Sequence, residues 1–313
     1  MLYKLSKGVN KLANKKDINE NINESDKVFR KVVLSWYPGH MSKTRKQIAE
    51  DLKMIDVVIE VTDARIPYSS RNPDIEELVK DKKKIIILNK KDLADENSIK
   101  MWVNYYKKIG ITAIPTEASK KDGRKEVIDA IKSESQEIVK KFGDKGRSGR
   151  KIKVMVFGIP NVGKSTFINM LANKNSAKVE NKPGVTKKKQ WIRLSEDIEL
   201  MDTPGMLWPK IKDERVAMNL AFTNSMGQNA FDNEEIAFYL LKFLCQNYQK
   251  KIEDRYGIKL NDEEVIGIRE EIARKKGCIL RGNEIDEAKV SNMILNDFQS
   301  GKIGRISIEN PKE

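Results

Sequence analysis

The sequence predicts an α/β protein whose doubly wound, mostly parallel sheet is followed by a small all-helical domain. Two observations lead to this prediction. In the first two thirds of the chain, short runs of β-branched residues alternate with helical segments, as expected of strands buried on both faces of a parallel sheet. After residue 212 the strand-like runs stop, and amphipathic helical segments follow.

The predicted elements follow one another in a regular order. A first helix is expected at Lys43 to Met54, where Ile48, Leu52 and Ile55 share one face. Strands are predicted at Val57 to Val61, Lys84 to Asn89, Ile111 to Pro115, Lys153 to Gly158 and Asp197 to Asp202. Further helices are predicted at Ile75 to Lys80, Glu96 to Lys108, Lys125 to Lys141, Glu234 to Tyr256, Asn261 to Lys276 and Ile285 to Gln299.

Composition divides the chain into three regions. Residues 1–30 are rich in Lys, Asn and Glu and bury too little apolar area to offset the entropy of ordering, so we expect a flexible extension. The α/β domain is predicted at residues 31–212 and the helical domain at 213–313. Within the α/β domain, the Gly-rich and basic stretch from Phe142 to Lys151 is predicted to be a linker.

The chain is strongly basic. Its 313 residues contain 60 Lys and Arg against 46 Asp and Glu, a formal net charge of +14, which favours a polyanionic partner. Abundant Lys on solvated helix faces is the alternative explanation. The two cysteines lack metal-ligand spacing, and no apolar run approaches the roughly 18–20 residues of a membrane span, so we expect a cytoplasmic protein without zinc or disulfides. We also expect a monomer.

A phosphate-binding loop follows the strand that ends near residue 158. Gly158, Gly163, Lys164 and Ser165 satisfy the pattern GxxxxGK[ST] between a predicted strand and a predicted helix. Backbone amides of such a loop surround phosphates, the lysine supplies positive charge to the β and γ groups, and the serine hydroxyl binds Mg²⁺. The nucleotide-binding residues expected here are Asn161, Val162, Gly163, Lys164, Ser165 and Thr166.

Two later motifs complete the predicted phosphate site. In DTPG, Asp202 ends a strand and is expected to hold Mg²⁺ through water, while the Gly205 amide senses the γ-phosphate. In PGVT, Thr186 is placed to complete the Mg²⁺ shell with Ser165 when the triphosphate is bound. Each motif alone is an ordinary turn, but their order after the phosphate loop favours a role in binding the γ-phosphate and Mg²⁺.

A base-reading motif, NKKD, supplies Asn89, Lys90 and Asp92 at the carboxyl end of a strand. A carboxylate there accepts two hydrogen bonds from guanine that adenine does not offer, so the sequence predicts selectivity for GTP and GDP. Ala118 and Ser119, in EASK at the end of the next strand, are expected to surround the base. NKKD precedes the phosphate loop, whereas ordinary GTPases have the opposite order, which predicts a circularly permuted P-loop GTPase domain.

The permutation ties the γ-phosphate segment directly to the helical domain at residue 213. We therefore hypothesise that nucleotide state changes the helical domain mechanically. Equal hydrogen-exchange protection of the C-terminal helices with GDP and with a GTP analogue would contradict this hypothesis.

The motifs together resemble those of the YlqF/RbgA family of circularly permuted GTPases. They are WYPGHMSK, TDARIPYSSRNP, NKKDL, GIPNVGKST, PGVT, DTPGMLWPK and the C-terminal DFQSGKIGRISIENP. The resemblance extends from about residue 34 to the end and implies GTP hydrolysis during late assembly of the large ribosomal subunit, with binding of its precursor and rRNA by the helical domain. Residues 1–30 depart from the pattern, and no family role is carried onto them.

His40 is the predicted catalytic residue. Ras-type enzymes orient the attacking water with a Gln after the DxxG glycine, but here Met and Leu follow Gly205, so hydrolysis should be slow without a partner. In the family the histidine matching His40 is implicated in catalysis. Chemistry alone leaves open a histidine that orients water and one that bonds the local turn or RNA.

Two further expectations concern ions and RNA. Asn161 matches an asparagine that helps to hold K⁺ in related GTPases, although it equally suits a turn-stabilising role. Basic residues of the C-terminal third are expected to contact RNA phosphates without reading sequence, unless they only form a solvated face. They are Lys250, Lys251, Arg269, Arg274, Lys275, Lys276 and Arg281.

A GTP-dependent signalling switch, with a protein effector and a basic surface for anionic membrane, is the alternative function. The sequence contains no lipidation motif and no interfacial amphipathic helix with an aromatic face, which disfavours that alternative. We expect neither DNA nor membrane among the partners.

Overall fold

A computed structural model describes residues 41–144, 150–172, 190–203, 211, 213–226, 232–260 and 264–311. Six strands form one sheet in the order β3-β2-β1-β4-β6-β5. The strands are β1 Val57–Asp63, β2 Lys83–Asn89, β3 Thr112–Thr116, β4 Ile152–Phe157, β5 Gln190–Arg193 and β6 Ile198–Asp202. Every neighbouring pair is parallel except β5 with β6, which is antiparallel, so the mostly parallel sheet is confirmed.

Helices occupy the connections of the sheet and the C-terminal third. They are α1 Met41–Leu52, α2 Pro73–Leu78, α3 Glu96–Lys108, α4 Arg124–Gly143, α5 Lys164–Ala172, α6 Glu214–Phe222, α7 Asn233–Asn247, α8 Gln249–Tyr256, α9 Val265–Lys275 and α10 Glu287–Gln299. Asn72, Asp95 and Asp213 precede α2, α3 and α6, and each accepts hydrogen bonds from two first-turn amides, which fixes where these helices begin.

The sheet is covered on both faces, which confirms the doubly wound architecture. On one face, buried residues of β1, β2 and β4 pack with Val127 of α4 and Phe167 of α5. On the opposite face, Ile48 of α1 and Ile75 of α2 pack against alternate strand residues, and Trp102 of α3 packs beneath β2. The central strands are buried along most of their length because helices cover both sides.

The C-terminal helices form a separate hydrophobic core, to which α7, α8, α9 and α10 contribute. Phe298, Ile303 and Ile306 are buried in this core. Helix α6 belongs to both cores, because Val216 and Leu220 pack in the sheet core while Phe222 packs among the C-terminal helices. The boundary at residue 213 therefore stays a prediction, and α6 is the element that joins the two regions.

The structure differs from the sequence expectations in four elements. Helix α6, at Glu214–Phe222, was not among the predicted helices. Strand β5, at Gln190–Arg193, was not predicted, because four residues of an edge strand give almost no periodic signal. The predicted helix from Glu234 to Tyr256 is two helices that meet at Tyr248, where φ is −140°. Helix α4 continues through Gly143, so the first residues of the predicted linker are helical, and residues 145–149 lie outside the described part.

The segment from Arg305 to Glu309, here named the C-terminal strap, leaves the helical region and runs over the sheet domain. Its Ile306 amide donates to the Leu93 carbonyl at 2.8 Å, and its Ile308 amide donates to the Arg65 carbonyl at 2.9 Å. The Glu309 carbonyl accepts from Trp102 Nε1 at 3.0 Å. The strap thus attaches the end of the described chain to the loops that follow β1 and β2.

None of the helices within the described ranges is both long and apolar enough to cross a membrane.

Candidate functional site

The loop between β4 and α5 is shaped by close approaches that only small residues permit. A Cβ on Gly158 would lie 2.6 Å from the Val61 carbonyl oxygen of β1, so glycine lets the loop pass directly over that strand. Asn161 and Gly163 have φ of +61° and +90°, in the left-handed region. The loop then leads into α5 at Lys164, whose first amides are free of intrahelical partners and suit phosphate oxygens.

Two residues of NKKD hold the carbonyls of this loop. Asn89 Nδ2 donates to the Val162 carbonyl at 2.8 Å, and Lys90 Nζ donates to the Asn161 carbonyl at 2.7 Å. The structure therefore brings together motifs that are about seventy residues apart in the sequence. Because β2 and β4 both end at this edge of one parallel sheet, the permuted order leaves the spatial arrangement of the site intact.

The base-reading side of the site is built on the same asparagine. Asn89 Oδ1 accepts from Thr116 Oγ1 at 3.2 Å and from the Ala118 amide at 3.3 Å, which joins NKKD to EASK. Asp92 is half-buried, Ala118 is buried and Ser119 is exposed. These predicted base contacts lie in the segments that follow β2 and β3, two neighbouring parallel strands that end at the same edge of the sheet.

The phosphate side contains a close ion pair. Lys164 Nζ lies 2.5 Å from Asp202 Oδ1, and both side chains are 7% exposed. Phosphate oxygens of a nucleotide would compete with Asp202 for this ammonium group, while Ser165, at the first turn of α5, is half-buried. The lysine, the serine and the α5 amides together form a donor set that fits a nucleotide phosphate with Mg²⁺.

A buried ionic network, not singled out from the sequence, lies behind Lys90. Asp63, at the end of β1, accepts from Arg65 Nε at 2.9 Å and NH2 at 2.8 Å, and from Lys90 Nζ at 2.9 Å. Burial alone would raise the pKa of Asp63, but Arg65 and Lys90 hold it well below its usual range. Burial lowers the pKa of Lys90, and the Asp63 charge opposes that shift. Asp63 and Arg65 belong to TDAR, part of a motif that supported the family resemblance without a chemical role.

Asn161 makes a second contact, to the region beyond the sheet. Its Nδ2 donates to the Asn224 carbonyl at 2.6 Å, just after α6, and Asn224 itself has φ of +57°. The side chain of Asn161 is thus held by a hydrogen bond to backbone outside its own loop. With the nitrogen engaged in this way, Oδ1 is the side-chain atom left to accept a donor or a cation.

Three predicted site residues, His40, Thr186 and Gly205, lie outside the described residues. Within the described ranges, no group of three or more His, Cys, Asp or Glu side chains could hold a metal ion. The predicted Mg²⁺ site differs from such a cluster, since it combines Ser165 and Asp202 with phosphate oxygens.

The basic residues of the C-terminal third fall into two groups. Lys251 donates to the Arg305 carbonyl, and Arg269 NH2 pairs with Glu287 Oε2 at 3.0 Å, so these half-buried side chains bind within the protein. The other five are exposed and lie at the start of α8, at the end of α9 and in the following loop. They are Lys250, Arg274, Lys275, Lys276 and Arg281. Leu280, beside the last of them, is 51% exposed.

The fold and the site define a P-loop GTPase whose motifs occur in circularly permuted order. "Ribosome biogenesis GTPase A" of Bacillus cereus is 42% identical over 282 residues, which cover 90% of this chain and 95% of that protein. The protein of the same name from Thermotoga maritima is 32% identical, again over 90% of this chain and 95% of its own. The chain belongs to the ribosome biogenesis GTPase A family and is a GTP hydrolase.

Family models and solved structures agree with this assignment. A model described as "50S ribosome-binding GTPase" matches residues 153–283, and one described as "RsgA GTPase" matches residues 76–212. GDP-bound "TM YlqF" is similar with a TM-score of 0.63 and 27% identity, covering 85% of this chain and 100% of that one. GNP-bound YlqF from T. maritima gives 0.60 and 28%, covering 87% and 99%.

Proposed function

We propose that this GTPase acts in late assembly of the large ribosomal subunit, where it binds a precursor particle and its rRNA in the GTP form and leaves after hydrolysis. The family role in ribosome biogenesis supports the general activity. The observation that carries the RNA contact is the set of exposed cations at the end of α9 and in the next loop, where phosphates can approach from solvent. We place this activity in the cytoplasm and expect a monomer.

Binding to the particle is tested by co-sedimentation with large-subunit precursors in GDP and in a non-hydrolysable GTP analogue. We expect pelleting with the analogue and little with GDP, falling steeply as salt rises. A variant with Arg274→Glu and Lys276→Glu should lose pelleting. The matched control, Lys107→Glu with Lys108→Glu at the exposed end of α3, changes the net charge equally and should keep it.

The alternative, a signalling or membrane-associated switch with a protein effector, predicts different behaviour. It requires binding to anionic liposomes that the Arg274 and Lys276 substitutions abolish, without binding to ribosomal particles. Liposome binding alone, with no nucleotide-dependent pelleting of particles, would overturn the ribosomal proposal.

Nucleotide binding in this proposal uses the contacts described above. Asp92, Ala118 and Ser119 take the base, and the loop from Asn161 to Thr166 takes the phosphates. Ser165, Thr186 and Asp202, the last through water, hold Mg²⁺, which supplies charge neutralisation at the β and γ groups when bound. Lys164 then binds phosphate oxygens, and the Gly205 amide responds to the γ-phosphate.

His40 is proposed as the catalytic residue that orients the attacking water. His40→Ala should lower particle-stimulated turnover while leaving GTP affinity nearly intact. Unchanged stimulated turnover would remove this role.

K⁺ is proposed to bind beside Asn161. Faster hydrolysis in KCl than in NaCl, lost in Asn161→Ala, would support the cation, since Oδ1 is the atom not engaged with Asn224. Equal rates in both salts would leave Asn161 with its structural contact alone.

A further inference from the structure

A continuous chain of contacts joins the last helix of the protein to the phosphate-binding loop. It begins at Phe298, whose carbonyl near the end of α10 accepts from Arg65 NH1 at 3.4 Å and whose ring lies 5.0 Å from the guanidinium carbon. Arg65 forms its bidentate pair with Asp63, Asp63 accepts from Lys90, and Lys90 donates to the Asn161 carbonyl. Four side chains thus link two regions that are more than a hundred residues apart in the sequence.

Phe298, Arg65 and Asp63 are buried, and Lys90 is partly buried. The side chains of Asp63 and Arg65 are 0% and 2% exposed, and that of Lys90 is 24% exposed. A buried pair that loses one partner leaves an uncompensated charge, so the arrangement resists partial opening. The guanidinium also lies near the carbonyl end of α10, where the helix dipole favours a cation.

We propose that Asp63 and Arg65 are positioning residues of the guanine-nucleotide site, which act through Lys90 to fix the Asn161 carbonyl and so couple nucleotide binding to the seating of α10. Asp63 is the point at which the two cations meet. If its charge is removed, Arg65 and Lys90 repel each other, and Lys90 leaves the Asn161 carbonyl. The phosphate loop then loses the contact that holds its left-handed residue in place.

The same segment supplies a matched control. Arg71 Nε pairs with Glu60 Oε2 at 3.1 Å, with side chains 10% and 1% exposed, and Glu60 lies on β1 like Asp63. The described contacts of this pair are with Asn72, Glu76 and Tyr106, and none is with the nucleotide loops. Glu60→Gln therefore removes a buried carboxylate of comparable burial without touching Lys90.

The first experiment measures the affinity of the full chain for the fluorescent nucleotide mant-GDP, at a temperature where circular dichroism shows each variant folded. Asp63→Asn should weaken binding by about tenfold or more, the usual effect of losing a charged hydrogen bond, and mainly by faster release. Glu60→Gln should change affinity by less than about twofold. Wild-type affinity in Asp63→Asn, or equal losses in both variants, would overturn the proposal.

The second experiment uses hydrogen exchange and needs only the wild-type protein. GDP should slow exchange at the Gly301 and Lys302 amides, which donate to the Phe298 and Asp297 carbonyls at the end of α10. The Cys278 amide, which donates to Ala273 in the same helical core, should not change. No effect of GDP on Gly301 and Lys302 would overturn the coupling.

The proposal rests on nucleotide binding at the site described above and deepens it, but it does not depend on the ribosomal role. Failure to bind particles would refute only the proposed function, whereas unchanged GDP affinity in Asp63→Asn would refute only this inference.

Discussion

Gly163→Ala should disrupt the nucleotide site in two ways, by backbone strain and by a steric clash with Asn89, and a control variant can measure the strain alone. At φ of +90°, a side chain is strained, and the new Cβ would lie 2.4 Å from Asn89 Nδ2. Asn89 must then move, although it holds the Val162 carbonyl, Thr116 and the Ala118 amide at 2.8, 3.2 and 3.3 Å. The phosphate loop and the base-reading motif are therefore disturbed by a single methyl group.

The magnitude follows from these terms. Strain at a left-handed residue costs about 1–2 kcal/mol, and displacing Asn89 breaks two or three hydrogen bonds that are worth about 1 kcal/mol each. Gly163→Ala should therefore lower the free energy of unfolding by about 3–5 kcal/mol. Gly110→Ala isolates the strain, because Gly110 has φ of +73° with nothing within 4 Å of its added Cβ, and it should cost only about 1–2 kcal/mol.

Urea unfolding of both variants measures the difference, and mant-GDP titration measures its consequence. We expect an excess of about 2–3 kcal/mol for Gly163→Ala and at least about tenfold weaker GDP binding, with wild-type binding for Gly110→Ala. Equal destabilisation of the two variants would show that Asn89 is not displaced, and the reasoning would be wrong.

Of three further predictions, two concern the C-terminal strap and one concerns the phosphate-binding loop. Burial raises the pKa of Glu309 above 4.5, although Ser69, Asn219 and Tyr68 donate to it, so its protonated form is favoured by folding. Wild type should lose stability relative to Glu309→Gln as pH rises above about 4.5, and a pH-independent difference in urea unfolding would contradict this. Arg305→Ala removes the donors to the Ala94 and Lys91 carbonyls and should lower the free energy of unfolding by about 1 kcal/mol. Hydrogen exchange at the Leu93 and Ala94 amides should become faster. Unchanged exchange there would show that Arg305 does not hold this loop in place. Gly158→Ala, with its Cβ 2.6 Å from the Val61 carbonyl, should destabilise the protein by more than about 2 kcal/mol in urea unfolding, and tolerance would show that β1 can move.

The central strands of the sheet were predictable because each one is marked by a short run of apolar residues in the sequence. Val57 to Val61 and Lys84 to Asn89 are nearly continuous β-branched and apolar runs, and their burial follows from helices on both faces. Strand β5 was missed because its residues 190–193 alternate over one short edge, with Trp191 40% exposed. The break at Tyr248 was missed because no Gly or Pro marks it, and the apolar spacing continues on both sides.

The candidate site was predictable as motifs but not as a connected arrangement. GxxxxGK[ST] and NKKD indicate their own chemistry, so Lys164 and Asn89 were assigned from the sequence. The network of Asp63, Arg65 and Lys90 depends on tertiary contacts. The TDAR motif alone does not predict that Arg65 contacts Phe298. The hydrogen bond of Lys251 to Arg305 and the ion pair of Arg269 with Glu287 could likewise not be predicted from the distribution of charge in the sequence.

The C-terminal strap has a consequence for how the chain is synthesised. Ile306 and Glu309 close on Leu93 and Trp102, more than two hundred residues upstream, so these bonds form only after translation has passed residue 309. Until then Ser69 and the Trp102 indole lack their hydrogen bonds to Glu309, and the loops that follow β1 and β2 lack their contacts with the C-terminal strap. In a nascent chain, the loops that follow β1 and β2 therefore gain these contacts only after the C-terminal helices have been synthesised.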